Sequence, residues 1–405
     1  MNKFKKDIYI LFAIRILRLF AYGALSVVLV LYLSQIGLDD YRIGLLITLT
    51  LIGDAVISLW ITTRADAYSR KKMLILGSFL MGAGGIAFSL TDNYIVLSVT
   101  AIIAVISPTG KEIGPFLSIE QSALAQILER KNLTKVIAWY NLAGSFATAF
   151  GALCAGWLTE VFLNRGVSLT DSYKIIIAGY GLAGITLLIV FSFLSSQIEP
   201  EKVKEVQPVK KTLGLHKSKK VVFKLSSLFA LDAFAGGFII QSIIAYWFYL
   251  KFGLGAGVLG SIFFGTNLVA GISALYAARI ANRIGLLNTM VFTHLPSNIL
   301  LLLIPLMPNL TLAVVMLILR FSISQMDVPT RQTYIMTVVS EDERSAAAGI
   351  STISRSIGAS VSPSICGMLL ANPLLLSFPF FLAGGLKIIY DLWLYASLRK
   401  VEARE

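Results

Sequence analysis

Ionisable side chains occur inside segments of this chain that are otherwise apolar enough to lie in a lipid bilayer. A charged group in hydrocarbon costs about 3 kcal/mol or more unless it faces a protein interior or a water-filled cavity. These residues therefore predict a polar path that binds charged solutes and protons. The basic residues are Arg15, Arg18, Lys111, Arg320, Arg331, Arg355 and Lys387, and the acidic residues are Asp54, Glu112, Glu120, Asp232, Asp327 and Asp391.

The stretch 107–126 carries charged residues inside the second part of an apolar run. It contains Lys111, Glu112 and Glu120 together with two prolines and two glycines. Pro and Gly break a membrane helix, and the freed backbone groups are tolerated only where they are buried in protein or line water. We therefore expect a broken helix that lines a cavity.

A second stretch, 320–339, repeats this pattern with a proline between Asp327 and Arg331. When the sequence is aligned with itself at one constant shift, Glu120 aligns with Arg331. This indicates two related halves with a site between them. Asp327 and Arg331 are four residues apart and are expected to pair. We also expect Glu120 and Arg331 to help close an inner gate across the two halves.

The composition is that of a membrane protein. Of 405 residues, 56% are hydrophobic and 14% are charged, whereas soluble chains carry about 25% charged residues. The net charge of +13 comes from lysines and arginines between the apolar runs, which argues against a nucleic-acid partner. Cys154 and Cys366 have no metal-ligand spacing, so we expect neither a metal nor a cofactor. His216 is interpreted as a loop residue and His294 as a core residue.

Membrane spans need about 20 apolar residues each, and the sequence predicts twelve helices. The division falls at the longest polar interruption, which gives a first six-helix bundle at 1–195, a basic linker at 196–221 and a second bundle with a short tail at 222–405. The predicted spans lie near 8–34, 43–63, 73–90, 94–127, 135–158, 173–195, 222–250, 257–279, 286–306, 311–339, 345–371 and 374–398.

The distribution of Lys and Arg predicts the orientation. With the N-terminus inside, the outside segments hold only Arg42, Arg165, Lys174 and Lys251. Because basic residues accumulate on the cytoplasmic side, both termini are expected to be cytoplasmic. We expect a multi-pass protein of the plasma (inner) membrane that contacts lipid directly.

The turn after the second predicted helix, 62–74, resembles the loop signature of the major facilitator superfamily, G-x-L-a-D-r-x-G-r-k-x-x-l. Its charged positions are matched by Asp66, Arg70 and Lys71, whereas Thr62 and Ser69 depart from the pattern. A degenerate copy, 282–285, follows the eighth predicted helix. With the six-plus-six plan, the resemblance covers essentially the whole chain.

This resemblance implies an all-α fold of two pseudo-symmetric six-helix bundles, and it implies that Asp66 holds the cytoplasmic side shut. A carboxylate at 66 that reached the start of the eleventh helix would meet the positive end of a helix dipole. The predicted cytoplasmic gate comprises Asp66, Arg70, Lys71 and Glu120.

Glycines of the fifth helix partly match an antiporter signature of the family. Gly144, Gly151 and Gly156 are present, but Ala152 stands where the signature has proline. The match favours export, although such glycines also allow close helix packing.

We therefore predict a secondary transporter, and no enzyme, that moves a small organic solute by alternating access. The excess of Arg and Lys favours an anionic or zwitterionic solute, and buried Asp54, Glu112 or Asp327 are the expected proton carriers. A proton gradient is the expected energy source, and a monomer is the expected state. The predicted pathway comprises Arg18, Tyr22, Asp54, Lys111, Glu112, Asp232, Asp327, Arg331 and Arg355.

Other functions remain open from the sequence. Export by antiport, uptake by symport and uniport all fit the pattern, with export slightly favoured. A lipid translocase and a non-transporting membrane sensor on the same fold are the alternatives.

Overall fold

The computed structural model describes residues 2–111, 115–200, 215, 218–340 and 343–402. Its helices are α1 Asn2–Gln35, α2 Asp40–Tyr68, α3 Arg70–Leu90, α4 Tyr94–Ile103, α5 Phe116–Ile127, α6 Arg130–Asn164, α7 Leu169–Ser192, α8 Lys219–Gly237, α9 Gln241–Phe252, α10 Ala256–Ile284, α11 Leu286–Leu303, α12 Leu310–Ser324, α13 Asp327–Thr337, α14 Arg344–Leu370 and α15 Phe378–Glu402.

Each predicted span corresponds to one helix or to two consecutive helices. Within the described ranges, ten helical segments are long and apolar enough to cross a membrane. The other two predicted spans are the broken pair α4 and α5 and the Ser-rich helix α14, which carries Arg355. The structure therefore confirms the all-α membrane fold and accounts for all twelve spans.

Three spans are broken. The first break, between α4 and α5, contains Pro108, Gly110 in the left-handed region (φ 65°) and Pro115, as its composition predicts. The second lies just before Asp327, which places Pro329 in the first turn of α13, where its missing N–H leaves no intrahelical bond unmade. The third separates α8 from α9 at 238–240 and was not predicted, because that stretch contains no proline.

The chain forms two compact units. Unit 1 comprises Met1–Glu205 and Ile240–Asn267, and unit 2 comprises Val206–Ile239 and Leu268–Glu405. The bundle boundaries predicted at 195 and 222 stay a prediction. Much of the predicted linker lies outside the described residues.

Glycines hold the helices of unit 1 close together. A Cβ on Gly151 of α6 would lie 2.8 Å from the carbonyl carbon of Phe20 in α1, and one on Gly85 of α3 would lie 2.6 Å from the Cα of Gly181 in α7. A Cβ on Gly156 would lie 3.1 Å from the Cα of Gly257. Packing therefore accounts for the α6 glycines that the sequence analysis associated with export.

Replacing Gly151 with alanine is expected to lower the thermal unfolding midpoint of the detergent-purified protein. The added methyl group would collide with the backbone of α1, which has no rotamer to change. The matched control is Gly179→Ala on α7, where a Cβ meets no atom within 4 Å. Because alanine favours a helix over glycine by about 1 kcal/mol, the control should keep or raise its midpoint. Equal midpoints for both variants would contradict this packing argument.

Candidate functional site

Asp232 of α8 is the centre of a buried charge cluster in unit 2. Its Oδ1 accepts a hydrogen bond from Lys387 Nζ at 2.5 Å, and its Oδ2 accepts from Arg331 Nη1 and Arg355 Nη1, both at 3.2 Å. Asp232 itself is 3% exposed. One carboxylate is therefore shared by three cations, from α15, α13 and α14.

Close packing of α8 against α14 positions this group. A Cβ on Gly237 of α8 would lie 2.6 Å from the carbonyl oxygen of Ala359, and one on Gly358 of α14 would collide with the carbonyl oxygen of Ala230. Small residues at these two positions let the helix backbones approach. Arg355, one turn before Gly358, is thereby brought beside Asp232.

A second carboxylate supports Arg331. Asp327 accepts a hydrogen bond from Arg331 Nη1 at 2.8 Å, which confirms the pair predicted from their spacing. The Arg331 guanidinium also lies over the ring of Phe229, 5.5 Å from its centroid. Arg320 of α12 is buried nearby in the same unit, with its guanidinium 5.1 Å from the ring centroid of Phe321.

His294 of α11 extends the cluster. Its Nδ1 lies 2.8 Å from Asp391 Oδ1 and its Nε2 lies 3.9 Å from Asp232 Oδ1. Asn298, one turn along α11, donates to Asp391 Oδ2 at 2.8 Å. His294 is buried, as the sequence interpretation of a core residue has it, and two carboxylates flank its ring.

The cluster carries more positive than negative charge. Its cations are Arg320, Arg331, Arg355 and Lys387, and its carboxylates are Asp232, Asp327 and Asp391. The side chain of Arg355 is 32% exposed, whereas that of Asp232 is only 4% exposed. The accessible side of the cluster is therefore cationic. Within the described ranges, no group of His, Cys, Asp and Glu side chains is arranged to hold a metal ion.

Unit 1 contains a sealed ion pair. Arg18 of α1 donates to both oxygens of Glu120 in α5, at 2.5 and 2.6 Å, and Tyr140 of α6 donates to Glu120 Oε2 at 2.6 Å. All three residues are 0% exposed. Arg15 donates through Nε to the carbonyl oxygen of Tyr140 at 2.9 Å, and Tyr22 stacks on Tyr180 with centroids 6.0 Å apart.

A neutral polar chain lies beside the break between α4 and α5. Gln241, the first residue of α9, donates to Ser26 Oγ at 2.7 Å and accepts from Asn267 Nδ2 at 3.0 Å. A Cβ on Gly110 would lie 2.9 Å from Ser26 Oγ, so the tight turn there brings the break against this chain. Lys111 in the same break is exposed.

The predicted gate residues Asp66, Arg70 and Lys71 are tied together within unit 1. Asp66 pairs with Arg70 at 2.7 Å, and Arg70 and Lys71 donate to carbonyl oxygens of Ile198 and Leu194, both at 2.9 Å. Helix α3 begins at Arg70.

Glu199 anchors this turn. Its carboxylate accepts from Ser69 Oγ at 2.6 Å and from the backbone N–H groups of Arg70 and Lys71 at 2.8 and 3.1 Å. A carboxylate that caps a helix N-terminus in this way also meets the positive end of its dipole. The turn is thus fixed to the segment after α7. The gating roles predicted for Asp66, Arg70, Lys71 and Glu120 stay predictions.

The structure brings some of the predicted pathway residues together and separates others. Asp232, Asp327, Arg331 and Arg355 converge in one cluster. Arg18 pairs with Glu120, although the sequence analysis assigned one to the pathway and the other to the gate. Asp54 is buried in α2, and Glu112 lies outside the described residues.

The sequence patterns assigned no site role to His294, Asn298, Gln241 and Glu199. One sequence signal pointed to His294 and Asn298. His294 and Asn298 are four residues apart on α11, as Lys387 and Asp391 are on α15. Such spacing places both polar groups of a pair on one face. Lys387 and Asp391 are nevertheless held by different partners, because Lys387 bonds Asp232 and Asp391 bonds His294.

Replacing either Arg18 or Glu120 with glutamine is expected to destabilise the protein by about 3–5 kcal/mol, because a single change leaves a buried charge without its partner. The double variant should lose less than the sum of the single losses. Thermal unfolding in detergent, with size-exclusion chromatography to check folding, measures both effects. Arg42→Gln is the control, since the Arg42 side chain is 56% exposed in its pair with Asp39. Additive losses in the double variant would contradict a direct coupling.

Comparisons with known proteins agree with this architecture. A relative from Saccharomyces cerevisiae, an uncharacterized membrane protein, is 30% identical, and the match covers 99% of this chain and 97% of the relative. A bacterial homologue of the human lysosomal transporter Spinster, inward-facing and occupied, has a TM-score of 0.76 at 15% identity, covering 98% of this chain and 97% of its own. At these identities a structural match shows the fold alone.

Two further solved structures have the same fold. The D-xylose–proton symporter matches with a TM-score of 0.71 at 12% identity, covering 96% of this chain and 97% of its own. The human organic anion transporter TETRAN matches with a TM-score of 0.66 at 13% identity, covering 96% and 99%. The family model of the Major Facilitator Superfamily matches residues 11–363. Since that match spans most of its length, the chain is a multi-pass integral membrane protein that belongs to the Major Facilitator Superfamily.

Proposed function

We propose that this protein is a proton-coupled secondary transporter of a small organic anion, and that the anion binds at Arg355. Membership of the family supports secondary transport by alternating access rather than enzymatic catalysis. The proposal places both termini in the cytoplasm and the protein, as a monomer, in the plasma (inner) membrane. The Lys and Arg distribution supports this orientation.

The observation that carries the proposal is the cationic excess around Asp232. Four cations face three carboxylates, and the most accessible of the Asp232 partners is Arg355, with a side chain 32% exposed. Asp232 retains Lys387 and Arg331 when Arg355 turns part of its guanidinium towards a solute. A guanidinium binds a carboxylate through two parallel hydrogen bonds, which is stronger than a contact to one point charge.

The same cluster favours an anion over a zwitterion. The side chains of Asp232, Asp327 and Asp391 are 4%, 8% and 1% exposed. A solute ammonium group would therefore find no accessible carboxylate here. A singly or doubly charged organic acid matches the exposed charge better.

The glycines of α6 bear on the direction of transport. Because packing accounts for Gly151 and Gly156, these residues no longer favour export over uptake. The energy source in either direction is the proton gradient, since ligand and proton binding bias the inward and outward states by differential affinity.

A thermal-shift screen tests the anion site. Organic mono- and dicarboxylates should raise the unfolding midpoint of the wild-type protein, whereas their neutral amides should not. A ligand at 100 times its dissociation constant stabilises by about 2.7 kcal/mol. Arg355→Gln should abolish the shift, and Arg279→Gln, which removes an exposed arginine on α10, should preserve it. Shifts caused equally by acids and amides would contradict the proposal.

Proteoliposomes test transport itself. An acid that passes the thermal screen should move across the membrane when a pH gradient is imposed, and the movement should stop when a protonophore collapses the gradient. Movement of labelled lipid without acid movement would instead identify a lipid translocase. Absence of both, in protein that binds the acid, would identify a non-transporting sensor.

A further inference from the structure

We infer that His294 is the residue that binds the coupling proton, in place of the carboxylates Asp54, Glu112 and Asp327 that the sequence favours. This inference rests on the proposed function, because it assigns the proton step of that transporter. His294 lies within the cluster that contains the proposed anion site.

Two carboxylates flank the imidazole ring of His294. Nδ1 lies 2.8 Å from Asp391 Oδ1, and Nε2 lies 3.9 Å from Asp232 Oδ1. A neutral imidazole carries one N–H, so it can donate to one carboxylate while its other nitrogen presents a lone pair to the second. Protonation makes both nitrogens donors. The two carboxylates, from α15 and α8, therefore favour the imidazolium.

The surrounding cations oppose this preference. The other ionisable groups of the cluster are Lys387 and Tyr390 of α15, Arg331 and Asp327 of α13, Arg320 of α12 and Arg355 of α14. Three of these cations already share Asp232, which weakens its attraction for an added positive charge. Asp391 instead accepts from the neutral amide of Asn298. Asp391 is therefore the carboxylate left to neutralise a positive charge added to the His294 ring.

Asp327 is less suited to carry the proton. It pairs with Arg331 at 2.8 Å, so protonating it would leave part of that buried guanidinium without its anion. Histidine has the further advantage that its ordinary titration range lies within the range of cellular pH. A proton at His294 adds positive charge beside two carboxylates, Asp391 and Asp232.

Protonation of His294 and binding of the anion should favour each other. An imidazolium draws Asp232 towards itself and weakens the hold of that carboxylate on Arg355. The Arg355 guanidinium is then freer to accept a solute carboxylate. Because coupling between two bound ligands is reciprocal, a bound anion should in turn raise the proton affinity of His294. Proton and anion then move in the same direction.

Nuclear magnetic resonance of ¹⁵N-histidine-labelled protein in lipid nanodiscs tests the proton site without any substrate. The chain has two histidines, so a His216→Gln background leaves the His294 ring as the single histidine signal. The signal should shift reversibly between the neutral and imidazolium values between pH 4.5 and 9. A ring that keeps one protonation state across that range would overturn the inference.

Variants separate this role from a purely structural hydrogen bond. In Asp391→Asn the midpoint of the His294 titration should fall by at least one pH unit, a tenfold loss of proton affinity. Asp171→Asn, which changes an exposed carboxylate of unit 1, should leave it unchanged. If Asp391→Asn does not fold, Asn298→Ala replaces it, and its midpoint should rise because Asp391 loses a competing donor. An unmoved midpoint in a folded variant would also overturn the assignment.

The histidine titration and the measurement of acid binding together distinguish the proton site from the proposed substrate class. A His294 that titrates as expected, in a protein that binds no organic acid, would count against the proposed substrate class and leave the proton site standing. Acid binding whose affinity does not change with pH between 5 and 8, in protein whose His294 does not titrate, would remove the proton site alone.

Discussion

The structure depends on how buried carboxylates are paired with cations. At membrane depth an isolated carboxylate is too costly to remain charged, and a single partner often fails to repay the loss of hydration. Asp232 meets this constraint by sharing its two oxygens among Lys387, Arg331 and Arg355. The arrangement draws four helices to one point, because each partner comes from a different helix. It also fixes where charge can be added or removed in unit 2.

The two units satisfy the constraint differently. In unit 1 the bidentate pair of Arg18 and Glu120 is closed by Tyr140, and all three residues are inaccessible. The charges of this pair balance each other, and each oxygen of Glu120 has a donor. In unit 2 the cations outnumber the carboxylates and Arg355 remains partly exposed. A balanced, sealed pair suits a structural role, whereas an unbalanced, accessible cluster suits the binding of a charged solute.

Sequence reasoning predicted the membrane fold, the helix breaks beside prolines and the pair of Asp327 and Arg331. These follow from local rules, namely hydropathy, proline geometry and spacing along one helix. Partners on different helices do not follow from such rules. Nothing in the sequence distinguishes Lys387 pairing with Asp391 four residues away from Lys387 pairing with Asp232 on α8. The break after Gly237 was missed because the stretch 238–240 contains no proline.

His294 is suited to this role by the charged groups around it rather than by its own chemistry. A cluster with equal numbers of well-paired ions resists a change in protonation, because any proton gained or lost leaves a partner uncompensated. Here Asp232 is already oversupplied with cations, while Asp391 is held by a histidine and a neutral amide. On the proposed assignment, a proton on His294 would change how the cations share Asp232 and would break no existing ion pair. Because Arg355 shares that carboxylate, the redistribution reaches the accessible guanidinium directly. On the proposed assignment, proton and solute binding would be linked through this single carboxylate, by a change of hydrogen-bond partner.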